Sequence, residues 1–180
     1  MGVDVPVDPE ERAREVCLRL LTSAPRTRAQ LAEALRRRGI PADVAGAILE
    51  RFTDAGLVDD AAFARAWVES RHYSRGLAGR VLAAELRQRG VDDEEIRQAV
   101  AGLGPDADVA AARELVARKL AATKGQPAPA RVRRLTGMLA RKGYPPELAF
   151  RIIREALETE GTYADLGEEP LYDEAFPDTE

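Results

Sequence analysis

Leu82-Ala-Ala-Glu-Leu86-Arg-Gln-Arg-Gly90-Val91 lies in the middle of the chain and has a counterpart on either side. The upstream counterpart is Leu31-Ala-Glu-Ala-Leu35-Arg-Arg-Arg-Gly39-Ile40, and the downstream one is Leu135-Thr-Gly-Met-Leu139-Ala-Arg-Lys-Gly143-Tyr144. Corresponding leucines are separated by 51 and 53 residues. A motif that recurs three times at a nearly constant interval predicts a tandem repeat.

Each copy has the pattern of a helix that ends and is followed at once by another. Two leucines four residues apart share one helix face, and basic residues fill the last turn, where the carbonyl end favours cations. The glycine that follows in each copy is suited to a left-handed cap, and Tyr144 takes the apolar position after it. A proline or acidic residue then opens the next helix, at Pro41, Asp92 and Pro145. The pattern predicts three helix pairs.

A further helix precedes each pair, so we predict about nine helices. Thr27 and Gln30 match a capping box at the start of the Leu31/Leu35 helix. No segment alternates apolar and polar residues as a strand does. We therefore predict an all-α protein of three tandem three-helix repeats that form an elongated, curved helical array. The predicted organisation is a disordered N-terminal segment at 1–10, helical repeats at 11–57, 58–104 and 105–158, and an acidic C-terminal tail at 159–180.

The charges are unevenly distributed along the 180 residues. The net charge is −4, but the segment from Arg12 to Glu155 contains all 27 basic residues and 18 of the 31 acidic ones, a net charge of +9. Acidic residues dominate both ends of the chain. A basic body favours a polyanionic partner, and the acidic ends could compete for the same surface or keep the protein soluble.

The sequence contains no pattern typical of an enzyme. Its one cysteine, Cys17, and its one histidine, His72, lie 55 residues apart, which is not a metal-ligand spacing. No glycine-rich phosphate loop of the GxxxxGK[ST] type occurs, and acidic pairs sit where helix capping explains them. We predict no catalytic residue, no metal site and no cofactor. Cys17 lies among apolar neighbours and is predicted to be a buried hydrophobe.

Nothing in the sequence resembles a membrane span or a secretory signal. No run approaches about eighteen consecutive apolar residues, and the N-terminal stretch is acidic where a signal needs a basic region. We predict a cytoplasmic protein without membrane contact.

The middle repeat contains a distinctive set of residues: Asp59-Asp-Ala-Ala-Phe63-Ala64, Val68, Arg71, Gly76, Gly79-Arg80-Val81, Glu85-Leu86 and Gly90-Val91. This set resembles the RecX family, bacterial regulators of the recombinase RecA. The third repeat is similar at Leu135 and at Met138-Leu-Ala-Arg-Lys-Gly-Tyr144. The resemblance covers about residues 11–157.

The resemblance implies a function and its partners. Family members are all-helical repeat proteins that bind the RecA filament on single-stranded DNA and modulate it in recombination and DNA repair, usually by inhibiting strand exchange and ATP hydrolysis. We therefore expect a non-enzymatic regulator that lies along the filament groove, with RecA and single-stranded DNA as partners, duplex DNA as a further ligand, and a monomeric state in solution.

Basic residues and one aromatic residue form the predicted contact surface for DNA and the filament. They are Arg36, Arg37, Arg38, Arg71, Tyr73, Arg75, Arg80, Arg87, Arg89, Arg131, Arg133, Arg134, Arg141 and Lys142. At a helix end, an arginine also stabilises the helix by roughly 0.3–1 kcal/mol without any ligand. Trp67, four residues after Phe63, is predicted to be core, whereas His72 and Tyr73 fit either a surface contact or local packing.

Two other functions fit the same composition. A helical scaffold could grip a protein or peptide and never touch nucleic acid. A short-loop helix pair also resembles a helix-turn-helix, which would make the protein an independent binder of duplex DNA.

Overall fold

The computed structural model describes residues 8–161, and this part of the chain is all-α, as predicted. It contains nine α-helices, one short 3-10 helix and no strand. The helices are α1 (Pro9–Ser23), α2 (Arg28–Arg36), α3 (Ala42–Asp54), α4 (Asp60–Arg75), α5 (Gly79–Gln88), α6 (Asp93–Ala101), α7 (Ala107–Leu120), the 3-10 helix Ala121–Thr123, α8 (Ala128–Arg141) and α9 (Pro146–Thr159).

The two ends of the chain differ slightly from the prediction or lie outside the described residues. Helix α1 begins at Pro9, so the last two residues of the segment predicted to be disordered are helical. The Asp8 carboxylate caps this helix by accepting a hydrogen bond from the amide of Glu10 at 3.1 Å. The rest of that segment, 1–7, and nearly all of the predicted acidic tail, 162–180, lie outside the described residues.

The described helices belong to two compact units. The first unit contains residues up to Trp67 together with Ala83–Gly102, and the second contains Val68–Leu82 together with the chain from Leu103. Helices α4 and α5 of the middle repeat therefore contribute to both units.

The core of the first unit is built by α1, α2 and α3. Apolar faces of these helices bury Ala13, Val16, Cys17, Leu31, Leu35, Ile40, Ala45, Ile48, Leu49, Phe52 and Val58. The prediction of a buried Cys17 is confirmed, because its side chain is fully enclosed and burial raises the pKa of its thiol.

The core of the second unit is formed mainly by α7, α8 and α9. Its buried residues are Ala78, Ala112, Leu115, Val116, Val132, Leu135, Leu139, Tyr144, Ala149, Ile152, Ile153 and Leu157. Tyr144 is fully buried, as its place after the glycine cap predicted, and its hydroxyl donates to the carbonyl of Gly76 at 3.0 Å. The apolar contacts and this hydrogen bond hold the α4–α5 connection against the α8–α9 turn.

The three copies of the repeated motif end their helices in the same way. Gly39, Gly90 and Gly143 have φ angles of 70°, 75° and 91°. The amide of the following residue donates to the carbonyl five residues back, Ile40 to Leu35 at 3.2 Å and Val91 to Leu86 at 3.2 Å, and Tyr144 to Leu139 at 3.1 Å. This is the Schellman arrangement, which satisfies carbonyls that the helix leaves free. The capping box of Thr27 and Gln30 is also present, as predicted.

Candidate nucleic-acid interface

In the first unit, two of the predicted arginines are paired within their own helix. The guanidinium groups of Arg36 and Arg37 each lie 2.7 Å from a carboxylate oxygen of Glu33. Hydrogen bonds from both arginines lower the pKa of Glu33 to about 2. These side chains are exposed, so the ion pairs are screened, but the pairing offsets part of the local positive charge.

The remaining arginines predicted in the first unit also have local partners. Arg38 donates to the carbonyl of Ala34 at 3.0 Å, and Arg87 donates to the carboxylate of Asp93 at 2.8 Å. Arg89 donates to a carbonyl of α5 at 2.8 Å, and its guanidinium carbon lies 3.8 Å from the ring centre of Trp67. These contacts support the reading in which basic residues stabilise helix ends.

Trp67 packs within the first unit. Its ring stacks on that of Phe63 with the centroids 5.7 Å apart, and its indole nitrogen donates to Glu85 at 2.7 Å. The side chain is half-buried rather than fully enclosed. The spacing of four residues between the two aromatic rings therefore predicted the packing correctly, but with less burial than a core position has.

The second unit brings basic residues of three helices together. They are Arg75 at the end of α4, Arg118 and Lys119 in the last turn of α7, and Lys142 just after α8, and we call them the cationic cluster. The Lys142 ammonium donates to the backbone carbonyl of Arg75. Burial, followed by repulsion from Arg118, Arg75 and Lys119, lowers the pKa of Lys142. The other three cations are therefore close enough to Lys142 to oppose its charge.

Arg118 and Lys119 are functional candidates that the sequence analysis missed. Two adjacent cations in the last turn of a helix are a signal for them in the sequence, but they lie outside the repeated motif on which the prediction rests. Arg118 is paired with Glu114 one turn earlier, at the long distance of 3.6 Å. The cluster thus retains a surplus of positive charge.

Other predicted arginines of the second unit have different surroundings. Arg133, Arg134 and Arg141 are exposed, and within residues 8–161 no carboxylate lies within 4.0 Å of them. Arg80 is exposed and its guanidinium donates to the carbonyl of Gly143, at the Schellman turn after α8. Arg71 is half-buried.

Arg131 does not belong to a surface, contrary to the sequence-based prediction. Its side chain is only 3% exposed, and it donates to Thr123 at 2.9 Å and to Glu160 at 2.5 Å. The physical reason is its position on α8, where it is four residues before the buried Leu135 and shares its inward face. Arg131 is an internal ion-pair partner, and we remove it from the candidate interface.

The neighbouring residues His72 and Tyr73 have opposite environments. Tyr73 is 73% exposed, whereas His72 is 3% exposed and its Nδ1 lies 3.0 Å from the carbonyl of Leu77. The two rings meet edge to face, with centroids 5.5 Å apart. Of the two readings left open by the sequence, surface contact suits Tyr73 and local packing suits His72.

Two negative findings apply to the part of the chain that the structure covers. No group of three or more His, Cys, Asp and Glu residues there is arranged to hold a metal ion. None of the helices described between residues 8 and 161 combines the length and the apolar character that crossing a bilayer requires.

Comparison with known proteins gives a consistent assignment. Three family models, for the first, second and third three-helix domains of RecX, match residues 13–52, 59–100 and 106–153. "Regulatory protein RecX" of Thermobifida fusca is 62% identical over 165 residues, covering 92% of this chain and 89% of the relative. The Streptomyces coelicolor protein of the same name is 56% identical over 165 residues, covering 91% and 88%.

The fold is also similar to that of a solved RecX structure. The crystal structure of RecX from Lactobacillus salivarius superposes with a TM-score of 0.74 and 20% sequence identity, covering 82% of this chain and 96% of that one. At this identity the likeness concerns the fold alone. With three family models matched along most of its length and close relatives of nearly equal length, the chain belongs to the RecX family.

Proposed function

We propose that the protein binds the RecA filament assembled on single-stranded DNA and inhibits its strand exchange and ATP hydrolysis. Membership of a family of regulatory proteins supports a regulatory role. The observation that carries the binding proposal is the cationic cluster of the second unit, where the Lys142 ammonium donates to the carbonyl of Arg75 and the charges of Arg118 and Lys119 are near enough to act on it.

A phosphate backbone is the ligand that this cluster suits best. Repulsion of the Lys142 charge by neighbouring cations raises the free energy of the unliganded protein, and a polyanion placed among these charges offsets that repulsion. Each cation that approaches a phosphate also releases counterions, so binding weakens steeply as salt increases. Burial is the largest cause of the lowered pKa of Lys142 and repulsion by the neighbouring cations adds to it, and a bound phosphate would raise this pKa.

The exposed arginines of α8 extend the proposed interface. Arg133, Arg134 and Arg141 carry positive charge that no described carboxylate offsets. In the first unit, by contrast, Arg36, Arg37 and Arg87 contact carboxylates of their own unit. The proposal therefore assigns the polyanion contact to the second unit and leaves the arginine pairs of the first unit a mainly structural role.

In this proposal the protein inhibits RecA by binding to the filament and its DNA, and it catalyses no reaction itself. A protein that holds phosphates of the filament's DNA competes with the second DNA strand that RecA must engage. Contact with RecA protomers at the same time would slow their turnover of ATP. RecA is then the enzyme, and this chain is a protein that binds to it.

Charge-neutralised variants test the proposal. Arg75, Arg118 and Lys119 are changed together to glutamine, and a control changes Arg36, Arg37 and Arg87 to glutamine, so both proteins lose three positive charges. Loss of three phosphate contacts should reduce the salt dependence of single-strand binding by roughly two units of slope, at about 0.7 per contact. The control should keep most of the wild-type slope.

The readouts are binding to single-stranded DNA across a salt series, co-sedimentation with RecA filaments, and RecA-catalysed ATP hydrolysis. The cluster variant should inhibit poorly and the control should inhibit like the wild type. Unchanged ATP hydrolysis over a wide range of wild-type concentration would refute the proposal. Binding that does not respond to salt would favour the protein-binding scaffold, and sequence-specific protection of a duplex would favour an independent duplex binder.

A further inference from the structure

A shallow groove lies beside the cationic cluster in the second unit. It is lined by the end of α4 and one face of α7, and its residues are His72, Tyr73, Gly76, Ala107, Ala110, Ala111, Glu114 and Arg118. The Tyr73 ring is the most exposed of the large apolar side chains that the structure describes. Arg118 belongs to both the groove and the cluster, so the two are continuous.

The floor of the groove is made of small side chains. Three alanines of α7 and one glycine leave a cavity of about 210 Å³. Pockets that enclose a whole small-molecule ligand begin at roughly 300 Å³, so this groove has room for only a part of a ligand, such as one planar ring. The buried His72 meets the Tyr73 ring edge to face, with the ring centroids 5.5 Å apart.

The charges at the rim distinguish the ends of such a ligand. Glu114 and Arg118 lie one turn apart on α7, with their charged groups 3.6 Å from each other. The carboxylate repels an anion within the groove, whereas Arg118, which also belongs to the cationic cluster, attracts one. A ligand with a neutral ring and an attached phosphate is therefore oriented with the ring inside and the phosphate at the cluster.

We infer that this groove receives one unpaired nucleobase of single-stranded DNA, stacked on Tyr73, while the adjoining phosphate contacts Arg118, where the groove meets the cationic cluster. Stacking on an aromatic side chain is open to every base, and it requires a base that is free of its complementary strand. In a duplex the bases are paired and stacked on one another, so the groove selects single strands over duplex. This inference rests on the proposed DNA binding. It adds that a nucleobase is the group recognised and that Tyr73 is the residue that recognises it.

The first test measures the affinity of the full-length protein for a labelled single-stranded oligonucleotide. Tyr73→Ala should weaken binding about 5- to 150-fold, the range expected for loss of one base–aromatic stack. Tyr73→Phe keeps the ring and should bind like the wild type. Ala110→Leu should also weaken binding, because Ala110 is exposed and a larger side chain there fills the groove without disturbing the core. Leu57→Ala removes another exposed apolar side chain, outside the groove, and should have no effect.

A second measurement separates base stacking from a general structural effect. The same backbone without bases, an abasic oligonucleotide, should bind the wild type more weakly than the normal oligonucleotide does. It should bind Tyr73→Ala and the wild type equally, and the salt slope of Tyr73→Ala should be unchanged because tyrosine carries no charge. Equal binding of normal and abasic strands by the wild type would overturn the inference.

The remaining outcomes distinguish this inference from the proposed function. If Tyr73→Ala binds normally while the cluster variant loses binding, the groove does not hold a base, but phosphate contact stands. If Tyr73→Ala binds DNA normally yet fails to inhibit RecA, the groove holds a protein segment, and the inference is wrong. If the wild type did not bind single-stranded DNA even at low salt, both the base-binding groove and the proposed phosphate contact would be refuted.

Discussion

Replacing Gly90 by alanine is expected to destabilise the first unit much more than the same change at Gly39. Both glycines follow a helix of the repeated motif and have similar φ angles, 75° and 70°. A Cβ added at Gly39 meets no atom within 4 Å, whereas one added at Gly90 would overlap the Cβ of Ala29 in the first turn of α2. Gly39 is therefore a matched control for backbone strain alone.

The magnitudes follow from these two environments. An alanine in the left-handed region costs about 1–2 kcal/mol, which is the whole effect expected at Gly39. At Gly90, overpacking adds about 1–3 kcal/mol. The Ala29 Cβ cannot rotate away, and the start of α2 is held in place because Thr27 donates a hydrogen bond to the carbonyl of Arg89 at 2.6 Å. We expect a total loss of about 2–5 kcal/mol for Gly90→Ala.

Urea unfolding measured by tryptophan fluorescence is a suitable assay. Trp67 is the only tryptophan of the chain and belongs to the first unit, as do both glycines. A double-mutant cycle with Ala29→Gly isolates the overlap, because this change removes the carbon that an alanine at 90 would meet. Ala29→Gly alone should cost up to about 1 kcal/mol through lost helix propensity, yet in the Gly90→Ala background it should restore stability. A coupling energy of about 1–3 kcal/mol is expected.

Two results would refute this reasoning. One is an equal loss of stability for Gly39→Ala and Gly90→Ala, which would mean that α2 shifts at no cost. The other is additivity of Gly90→Ala and Ala29→Gly to within about 0.5 kcal/mol, as for residues that do not touch.

Three further predictions concern ionisable groups. Glu160→Gln should destabilise the second unit by about 2–3 kcal/mol in thermal unfolding followed by circular dichroism, because it removes the ion pair between Glu160 and the buried Arg131. The loss is below the roughly 3–5 kcal/mol of a fully buried pair, since Glu160 is 24% exposed. An equally stable variant would show that Arg131 is solvated. The pKa of Glu33 is lowered from 4.5 to about 2, so its ion pairs should stabilise the fold above pH 4.5 and be lost as the pH falls towards 2. A titration of the Glu33 carboxyl by NMR should have its midpoint near 2, and a midpoint at the ordinary value would contradict the pairing. Cys17 should react with thiol reagents only when the first unit unfolds, because its thiol is buried with a raised pKa; rapid labelling of the native protein would disprove this.

Local chemistry made the helices and their ends predictable. The capping box at Thr27 depends on atoms within four residues of one another, and the Schellman turns at Gly39, Gly90 and Gly143 on atoms within six. Interactions over such short separations are specified by the residues themselves, whatever the rest of the chain does. The all-α class and the number of helices followed from these signals.

The candidate interface was predicted only in part, because exposure depends on which helix face packs inward. The sequence placed Arg131 and Arg134 in one basic set, but the first is buried against Glu160 and the second is exposed. Their spacing from the buried Leu135 distinguishes them, since Arg131 lies four residues before it on the same helix face and Arg134 is its immediate neighbour on a different face. Arg118 was missed for the opposite reason, since its importance comes from the nearness of Arg75 and Lys142, which lie far from it in sequence.

The sequence by itself determined the helices, their caps and the threefold repetition, since these depend on hydrogen bonds and apolar spacing within a few residues. Tertiary structure alone decided which charges meet. It buried Arg131 against Glu160, and it gathered cations from the ends of α4, α7 and α8 into one cluster beside an exposed tyrosine. Charge–charge and stacking interactions act between groups that are close in space, and only the packing of the helices makes residues distant along the chain neighbours.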